Sequence, residues 1–206
     1  MNPVESSIAR ESATTTGNAA ERKCELRKTL IALRNGISLE HRNAANGVFS
    51  QQLIEWQKHH ACAVLAVFWP ILNEPDLHLA YAHLAQNGVQ LALPVVTGHD
   101  APLSFVAWSP GQAMQVGAFG VVIPAEPQHI LTPQAILLPC LGFNAARVRL
   151  GYGGGYYDRT LALLPTAITA GIGYECCRVE FAAEPHDVAL GSLITEQGIA
   201  SSALAR

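Results

Sequence analysis

The chain has 206 residues, of which 50% are hydrophobic and 14% charged. That length suits one large domain or two small ones, and a charged share so far below the usual one of about 25% excludes a disordered chain or a coiled coil. A net charge of −3 argues against general nucleic-acid binding through a positive surface, and the longest near-continuous apolar run, Cys62–Leu72 with Pro70 inside it, falls short of the roughly 18 residues of a membrane span.

Residues 1–20 are rich in Ser, Thr, Ala and Asn and carry Glu5 and Glu11. With no apolar core segment they read as a flexible leader, not a targeting peptide. Glu21–Asn35 reads as a helix with Leu26, Leu30 and Leu33 on one face, stopped by Gly36. Lys23, Arg27 and Arg34 fall together at the edge of that stripe. Ser38 is placed to cap a second helix, with Glu40 in its first turn and Leu39, Val48, Phe49, Leu53 and Trp56 as its apolar positions. Ala61–Trp69 reads as a buried strand, Asp76–Gln86 as a helix, and Val89–Val96, Ser104–Trp108 and Ala135–Pro139 as further strands. Tyr156–Leu164 reads as a helix, Ala167–Gly173 as a strand and Leu193–Glu196 as a short strand. Strands alternating with helices predict an α/β fold with a mostly parallel sheet and helices on both faces. Without an internal repeat or linker, residues 21–206 are expected to form one domain.

Five cysteines, odd in number and with Cys176 and Cys177 adjacent, match neither a zinc site nor a disulfide framework. They suit a reducing, cytoplasmic compartment. The cations are unevenly placed. Seven of thirteen Lys and Arg lie between Arg10 and Arg42, three (Arg147, Arg149, Arg159) flank one glycine cluster, and none lies between Lys58 and Arg147. Either one anion site draws on both groups, or amphipathic helices simply carry charge on their wet faces.

The cluster is Arg149-Leu150-Gly151-Tyr152-Gly153-Gly154-Gly155-Tyr156-Tyr157-Asp158. Glycines between a strand and a helix let backbone N–H groups turn toward an anion, and the helix start adds a favourable dipole. The spacing is not a dinucleotide fingerprint, and no Lys-Ser/Thr follows to make a Walker loop. In open α/β sheets ligands lie beyond the carboxyl ends of the strands. Asn73-Glu74, the loop around Gly117-Phe119-Gly120 and the cluster itself all follow predicted strands, which points to one composite site.

The run RLGYGGGYYD at 149–158 resembles the signature of the 5-formyltetrahydrofolate cyclo-ligase family. Lys23-x-x-x-Arg27, Trp69-Pro70-x-x-Asn73-Glu74, Phe119-Gly120 with Pro124, and His186-Asp187 extend the similarity over roughly residues 20 to 199. The resemblance implies a three-layer α/β sandwich. It also implies ATP- and Mg²⁺-dependent closure of 5-formyltetrahydrofolate to 5,10-methenyltetrahydrofolate, with release of ADP and phosphate. Position by position, it assigns ATP to Lys23, Arg27, Arg149, Leu150, Gly151, Tyr152, Gly153, Gly154, Gly155, Tyr156 and Tyr157. Folate falls to Trp69, Glu74 and the stretch Tyr152 to Tyr156, and magnesium to Asp158 and Asp187. Arg149 and Tyr156 are the expected catalytic residues.

The expected partners are those small molecules alone, bound by a monomer, with neither nucleic acid nor membrane. Lys23 and Arg27 as snorkelling residues, Trp69 as a core aromatic, Glu74 as a loop acid and Asp187 as a turn residue are the competing readings. A related ATP-dependent ligase or kinase acting on another small molecule, or a catalytically silent nucleotide or folate binder, are the competing functions. Three positions depart from the family pattern: Asn144 stands for an acid, Arg147 for a glycine, and Gly191 for an acid.

Overall fold

A computed structural model describes residues 20–126, 129–184 and 187–201. The predicted leader, except for residue 20, and His186 lie outside them. The helices are α1 (residues 20–35), α2 (Leu39–His60), α3 (His78–Gln86) and α4 (Tyr156–Leu163). The strands are β1 (Val64–Ala66), β2 (Gln90–Val96), β3 (Leu103–Trp108), β4 (Met114–Val116), β5 (Val122–Pro124), β6 (Ile130–Leu131), β7 (Ala135–Pro139), β8 (Gly142–Phe143), β9 (Arg149–Leu150), β10 (Ile168–Ile172), β11 (Ser192–Thr195) and β12 (Gly198–Ser201).

Eight strands form one sheet in the order β12-β11-β10-β7-β1-β2-β3-β6. The inner five, β11 to β2, are parallel, and β12, β3 and β6 add antiparallel edges. Strand alternation divides the apolar residues between two cores. Leu65, Leu91, Leu93 and Leu137 pack with Leu30, Phe49, Leu53 and Tyr81 of α1, α2 and α3. Ala66, Ala92, Ile136 and Leu138 face the other way, in a core with Leu161 of α4. Helices therefore cover both faces, the three-layer α/β arrangement.

Chain order reverses at the centre. From β1 the chain moves outward to β2 through α3, whereas from β7, on the other side of β1, it moves outward to β10 through α4. The crevice beyond the carboxyl ends of β1 and β7 is thus the topological switch point where such sheets bind ligands.

One strand is far shorter than its apolar run. The stretch 61–69 gives only Val64–Ala66. At its start, Ala61 adopts φ 49 as it leaves α2 and donates its N–H to the Gln57 carbonyl. At its end the ladder stops because of Pro94. Gln90 N donates to Ala63 O, and Val67 N donates to Ala92 O, so the register next requires an N–H at position 94, which proline lacks. Beyond Val67 the chain is released from β2, and Phe68 to Glu74 turn over the crevice.

Two helix faces also differ from the apolar pattern. In α2 the inward stripe is Ala45, Phe49, Leu53 and Trp56, while Leu39 and Val48 are exposed; the Ser38 cap is present, its hydroxyl accepting from His41 N at 3.2 Å. In α1, Leu33 is 45% exposed, whereas Lys23 and Arg34 are buried with Leu30. The cations lie in the middle of the inward face, not at its edge. Helix α3 begins two residues later than predicted, because the Asp76 carboxylate accepts from His78 N and stands outside the first turn. The short strands β4, β5, β6, β8, β9 and β12 were not predicted. Among the described residues no helix is long and apolar enough to cross a membrane.

Candidate active site

At the switch point lies a cavity of about 660 Å³. Its walls come from α1, the segment after β1, the β4–β5 hairpin, the glycine cluster, Glu184 and Asp187. Every residue assigned to ATP, folate or magnesium by resemblance lines it: Lys23, Arg27, Trp69, Glu74, the run Arg149 to Tyr157, Asp158 and Asp187.

The glycine loop is held from both ends. Before it, β8 and β9 form a two-residue ladder closed by a turn in which Asn144 Oδ1 accepts from Val148 N at 3.0 Å. Arg147 sits there at φ 60, a conformation that favours glycine. It is secured by donation of its Nε to Leu190 O at 2.8 Å and by Leu190 N donating to Arg147 O. The departures at 144 and 147 thus keep a closed turn, by side-chain bonds in place of backbone freedom. After the loop, Gly155 at φ 66 opens α4 with no side-chain cap, so the first N–H groups of that helix have no side-chain acceptor.

The glycines leave room for guanidinium groups. A Cβ on Gly151 would lie 2.5 Å from Arg149 Nη1, and one on Gly153 would lie 3.4 Å from Arg27 Cζ. Arg27 Nε donates to Gly151 O at 2.9 Å, and Arg159 Nη2 donates to Gly154 O at 2.7 Å while lying 5.1 Å from the Tyr156 ring centroid. The Tyr156 ring itself leans on Phe119, centroids 5.8 Å apart, across the cavity mouth.

Each predicted magnesium carboxylate is paired with a predicted phosphate cation. Lys23 Nζ lies 3.0 Å from Asp187 Oδ2 and 3.2 Å from Glu184. Arg149 Nη2 lies 2.9 Å from Asp158 Oδ1, and its Cζ lies 5.1 Å from the Tyr157 ring centroid. Arg149 Nε is buried with no hydrogen-bond partner. Arg27 has no carboxylate partner among the described residues.

Farther along α1 the cavity changes character. Glu74 is 5% exposed. Its Oε1 accepts from the Tyr152 hydroxyl at 2.9 Å and its Oε2 from Ile71 N at 3.0 Å. Burial raises its pKa to about 7, against the opposing pull of those two bonds and of the Arg34 charge. Arg34 donates to the Tyr152 hydroxyl. Trp69 stands edge-on to His78 and Trp108, with centroids 4.4 and 6.0 Å away. It is both a packing aromatic and a wall of the cavity, whereas Trp108 is buried behind it and lines a separate pocket. Arg34, Glu184 and Phe119 went unassigned in the sequence. For Arg34 the signal was its place on the face of Lys23 and Arg27. Nothing comparable marked Glu184.

The chain is similar to known proteins of one family. The family model described as 5-formyltetrahydrofolate cyclo-ligase family matches residues 19–196. A 5-formyltetrahydrofolate cyclo-ligase of Mycoplasma pneumoniae is 28% identical over 178 residues, covering 85% of this chain and 99% of its own. One from Mycolicibacterium smegmatis is 30% identical over 141 residues, covering 64% of this chain and 72% of its own. The solved 5,10-methenyltetrahydrofolate synthetase of Aquifex aeolicus superposes with a TM-score of 0.75 at 28% identity, over 87% of this chain and 92% of its own. That of M. pneumoniae superposes with a TM-score of 0.70 at 25% identity, over 84% and 97%.

Proposed function

From the premise that the chain belongs to the 5-formyltetrahydrofolate cyclo-ligase family, we propose that it closes 5-formyltetrahydrofolate to 5,10-methenyltetrahydrofolate, with ATP as co-substrate and ADP and phosphate as products. The observation that carries this reading is the division of one cavity into two chemistries along α1. Arg27 meets the glycine loop, a phosphate-type cradle, and Lys23 lines the same cavity beside Asp187. Seven to eleven residues on, a rise of roughly 10–16 Å, Arg34 meets Tyr152 and Glu74, which suit a flat ring with adjacent N–H donors. We take the chain to act as a monomer with a single domain over 21–206. Five free thiols suit a reducing, cytoplasmic compartment.

A formamide is a poor electrophile, because its nitrogen lone pair is delocalised onto the oxygen. Transfer of the γ-phosphoryl group to the formyl oxygen gives an iminium phosphate. N10 attacks its carbon, and loss of phosphate with the N10 proton completes the ring. Such transfer is catalysed by positioning and charge neutralisation. Lys23, Arg27 and Arg149 neutralise phosphate oxygens, and the loop N–H groups hold them. Glu74 orients the ring, with Trp69 and Tyr156 as candidate faces for it.

Asp158 and Asp187 line the same cavity and offer hard oxygen donors, so the residues present fit Mg²⁺. They would hold it, and bound there it would offset phosphate charge. Each would exchange its present cation for the metal, freeing Arg149 and Lys23 for phosphate.

The direct test is to mix protein, ATP, Mg²⁺ and 5-formyltetrahydrofolate and follow the near-ultraviolet band of the methenyl product. ADP release without that band would favour a kinase or ligase of different substrate. Neither signal would favour a silent binder.

Replacement of Lys23 or Arg27 by Ala is expected to raise the apparent ATP constant about tenfold to a hundredfold, since charge-assisted bonds contribute about 1.5–3 kcal/mol each. The folate constant should change far less. Lys23→Ala also leaves Asp187 and Glu184 without their cation, whereas Arg27→Ala frees the Gly151 carbonyl and should lower kcat as the loop loosens. Steady-state titration of each substrate separates these effects, and equal weakening of both would support the snorkelling reading.

A further inference from the structure

We infer that Arg34 is a positioning residue for the folate end of the cavity: through the Tyr152 hydroxyl it holds Glu74 as an ionised acceptor. The inference rests on the reading of Glu74 as the ring-binding carboxylate.

Arg34 is a costly residue to place where it is. It is 1% exposed, and no carboxylate lies within salt-bridge distance among the described residues. Its Nε and Nη1 are buried without hydrogen-bond partners. A guanidinium stripped of water and left unpaired is destabilising, so packing alone does not explain a cation there; an apolar residue of similar volume would serve the core better. What its one side-chain bond accomplishes is specific. Arg34 Nη2 donates to Tyr152 Oη, and Tyr152 Oη donates to Glu74 Oε1. With the Arg34 N–H directed at its oxygen, the Tyr152 hydroxyl points its own proton at Glu74. A carboxylate accepts that proton, whereas a carboxylic acid protonated at the same oxygen loses the bond.

The backbone beneath Glu74 is tied to the same turn of α1. Ile71 to Glu74 form a tight turn closed by Glu74 N donating to Ile71 O at 2.9 Å, with Leu72 and Asn73 at φ 47 and φ 60. Two left-handed residues in succession, neither of them glycine, need external support. Asn73 Nδ2 supplies it by donating to Asn35 Oδ1 at 2.9 Å. Arg34 and Asn35 therefore hold both the carboxylate and the turn that carries it. Of the lone pairs on the two carboxylate oxygens, Tyr152 and Ile71 take one on each, which leaves acceptor capacity for two N–H donors of a bound ring.

Two cations act on the group around Glu74: Arg149, which acts on Cys140 and Tyr157, and Arg34, whose charge pulls on Glu74 itself. Tyr81 on α3, Cys140 after β7, Tyr152 on the glycine loop and Tyr157 on α4 all feel the Glu74 charge. Burial keeps the proton on each, the Cys140 thiol being pushed up to about 12. Burial leaves Glu74 near the midpoint of its titration at neutral pH, so loss of Arg34 should tip it to the acid.

The experiment is equilibrium binding of 5-formyltetrahydrofolate to the full chain without ATP, as a function of pH. In the wild type, affinity should rise with pH through about 7 as Glu74 ionises. Arg34→Gln should move that midpoint up by about 1–2 units, lowering affinity at neutral pH about tenfold. Arg34→Lys, which keeps the charge, should hold the wild-type midpoint, an outcome a purely structural role does not produce. Tyr152→Phe should also raise the midpoint, and it carries the test if Arg34→Gln does not fold. Glu74→Gln is the control. If it leaves both affinity and pH dependence intact, the reading of Glu74 fails, and the inference with it. If it abolishes the pH dependence while neither Arg34→Gln nor Tyr152→Phe moves the midpoint, the ring-binding role stands and the inference about Arg34 is overturned.

Discussion

Replacing Arg149 by Ala is expected to lower kcat by about 10²–10³-fold, with a much smaller rise in the apparent ATP constant. The side chain leaves the end of β9 already fixed. One nitrogen is on Asp158, its plane is near the Tyr157 ring, and its buried Nε has no partner. A charge held so firmly costs little further ordering as phosphate transfers, so its effect falls on the transition state more than on ATP binding. Arg149→Lys should restore only part of the rate, because an ammonium lacks the planar fork that meets two phosphate oxygens at once. Steady-state kcat and ATP constants for both variants decide the matter. Full activity in the Lys variant shows that a point charge suffices, and an unaltered kcat in the Ala variant removes Arg149 from the chemistry.

The second large effect concerns Asp158 and Asp187. Either Asp→Asn change is expected to raise the Mg²⁺ concentration for half-maximal rate by about a hundredfold, at or beyond the upper end seen when groups merely supporting a metal ligand are removed. An amide oxygen carries no full charge for a hard cation. Excess Mg²⁺ should recover much of the lost rate. The double variant should lose less than the sum of the two changes, since both would act on one ion. Asp187 has a competing role, because its Oδ2 already takes the Lys23 ammonium and the Glu184 N–H, the latter at 2.8 Å. Should Asp187→Asn leave the magnesium dependence untouched while Asp158→Asn shifts it, Asp187 serves as the anchor of Lys23 and not as a metal ligand.

Long periodic stretches were legible in the sequence. The residues of β7 were read to the end of each side, and α4 to within one residue, because both are bounded by local signals: Pro139 and the polar 132–134 turn for one, glycine and the Leu164 break for the other. The two-residue strands β8 and β9 were not, since they exist only by pairing with each other and hold no periodic pattern of their own. The truncation of β1 was also out of reach, because its cause, Pro94, lies on a different strand and acts through register. For the site, the glycine cluster was legible because glycines beside an arginine and an aspartate have few other uses. The ion pairs Lys23–Asp187 and Arg149–Asp158 were not, because pairing is a property of three-dimensional approach, across 164 positions in the first case. The inward face of α1 was misread for a related reason: hydrophobicity locates buried faces only where burial is apolar, and here two of its three buried side chains are Lys23 and Arg34.

That composition has a bearing on how the molecule opens. Helix α1 gives the apolar core one fully buried side chain, Leu30, with Leu26 and Ile31 packed partly buried beside it, and it is also moored by polar contacts to the glycine loop, the 71–74 turn and the 187 carboxylate. Several of those contacts join buried charges, which regain water only when the helix lifts. Local opening of the helix would give up those contacts and leave the sheet, with its two cores, in place. Release would dismantle both ends of the cavity at once, because the same helix serves the phosphate cradle and the ring carboxylate. Ligands that bridge it to the loop act in the opposite sense, adding their binding free energy to the docking of α1. Docking of this helix and occupancy of the cavity are in this way thermodynamically coupled.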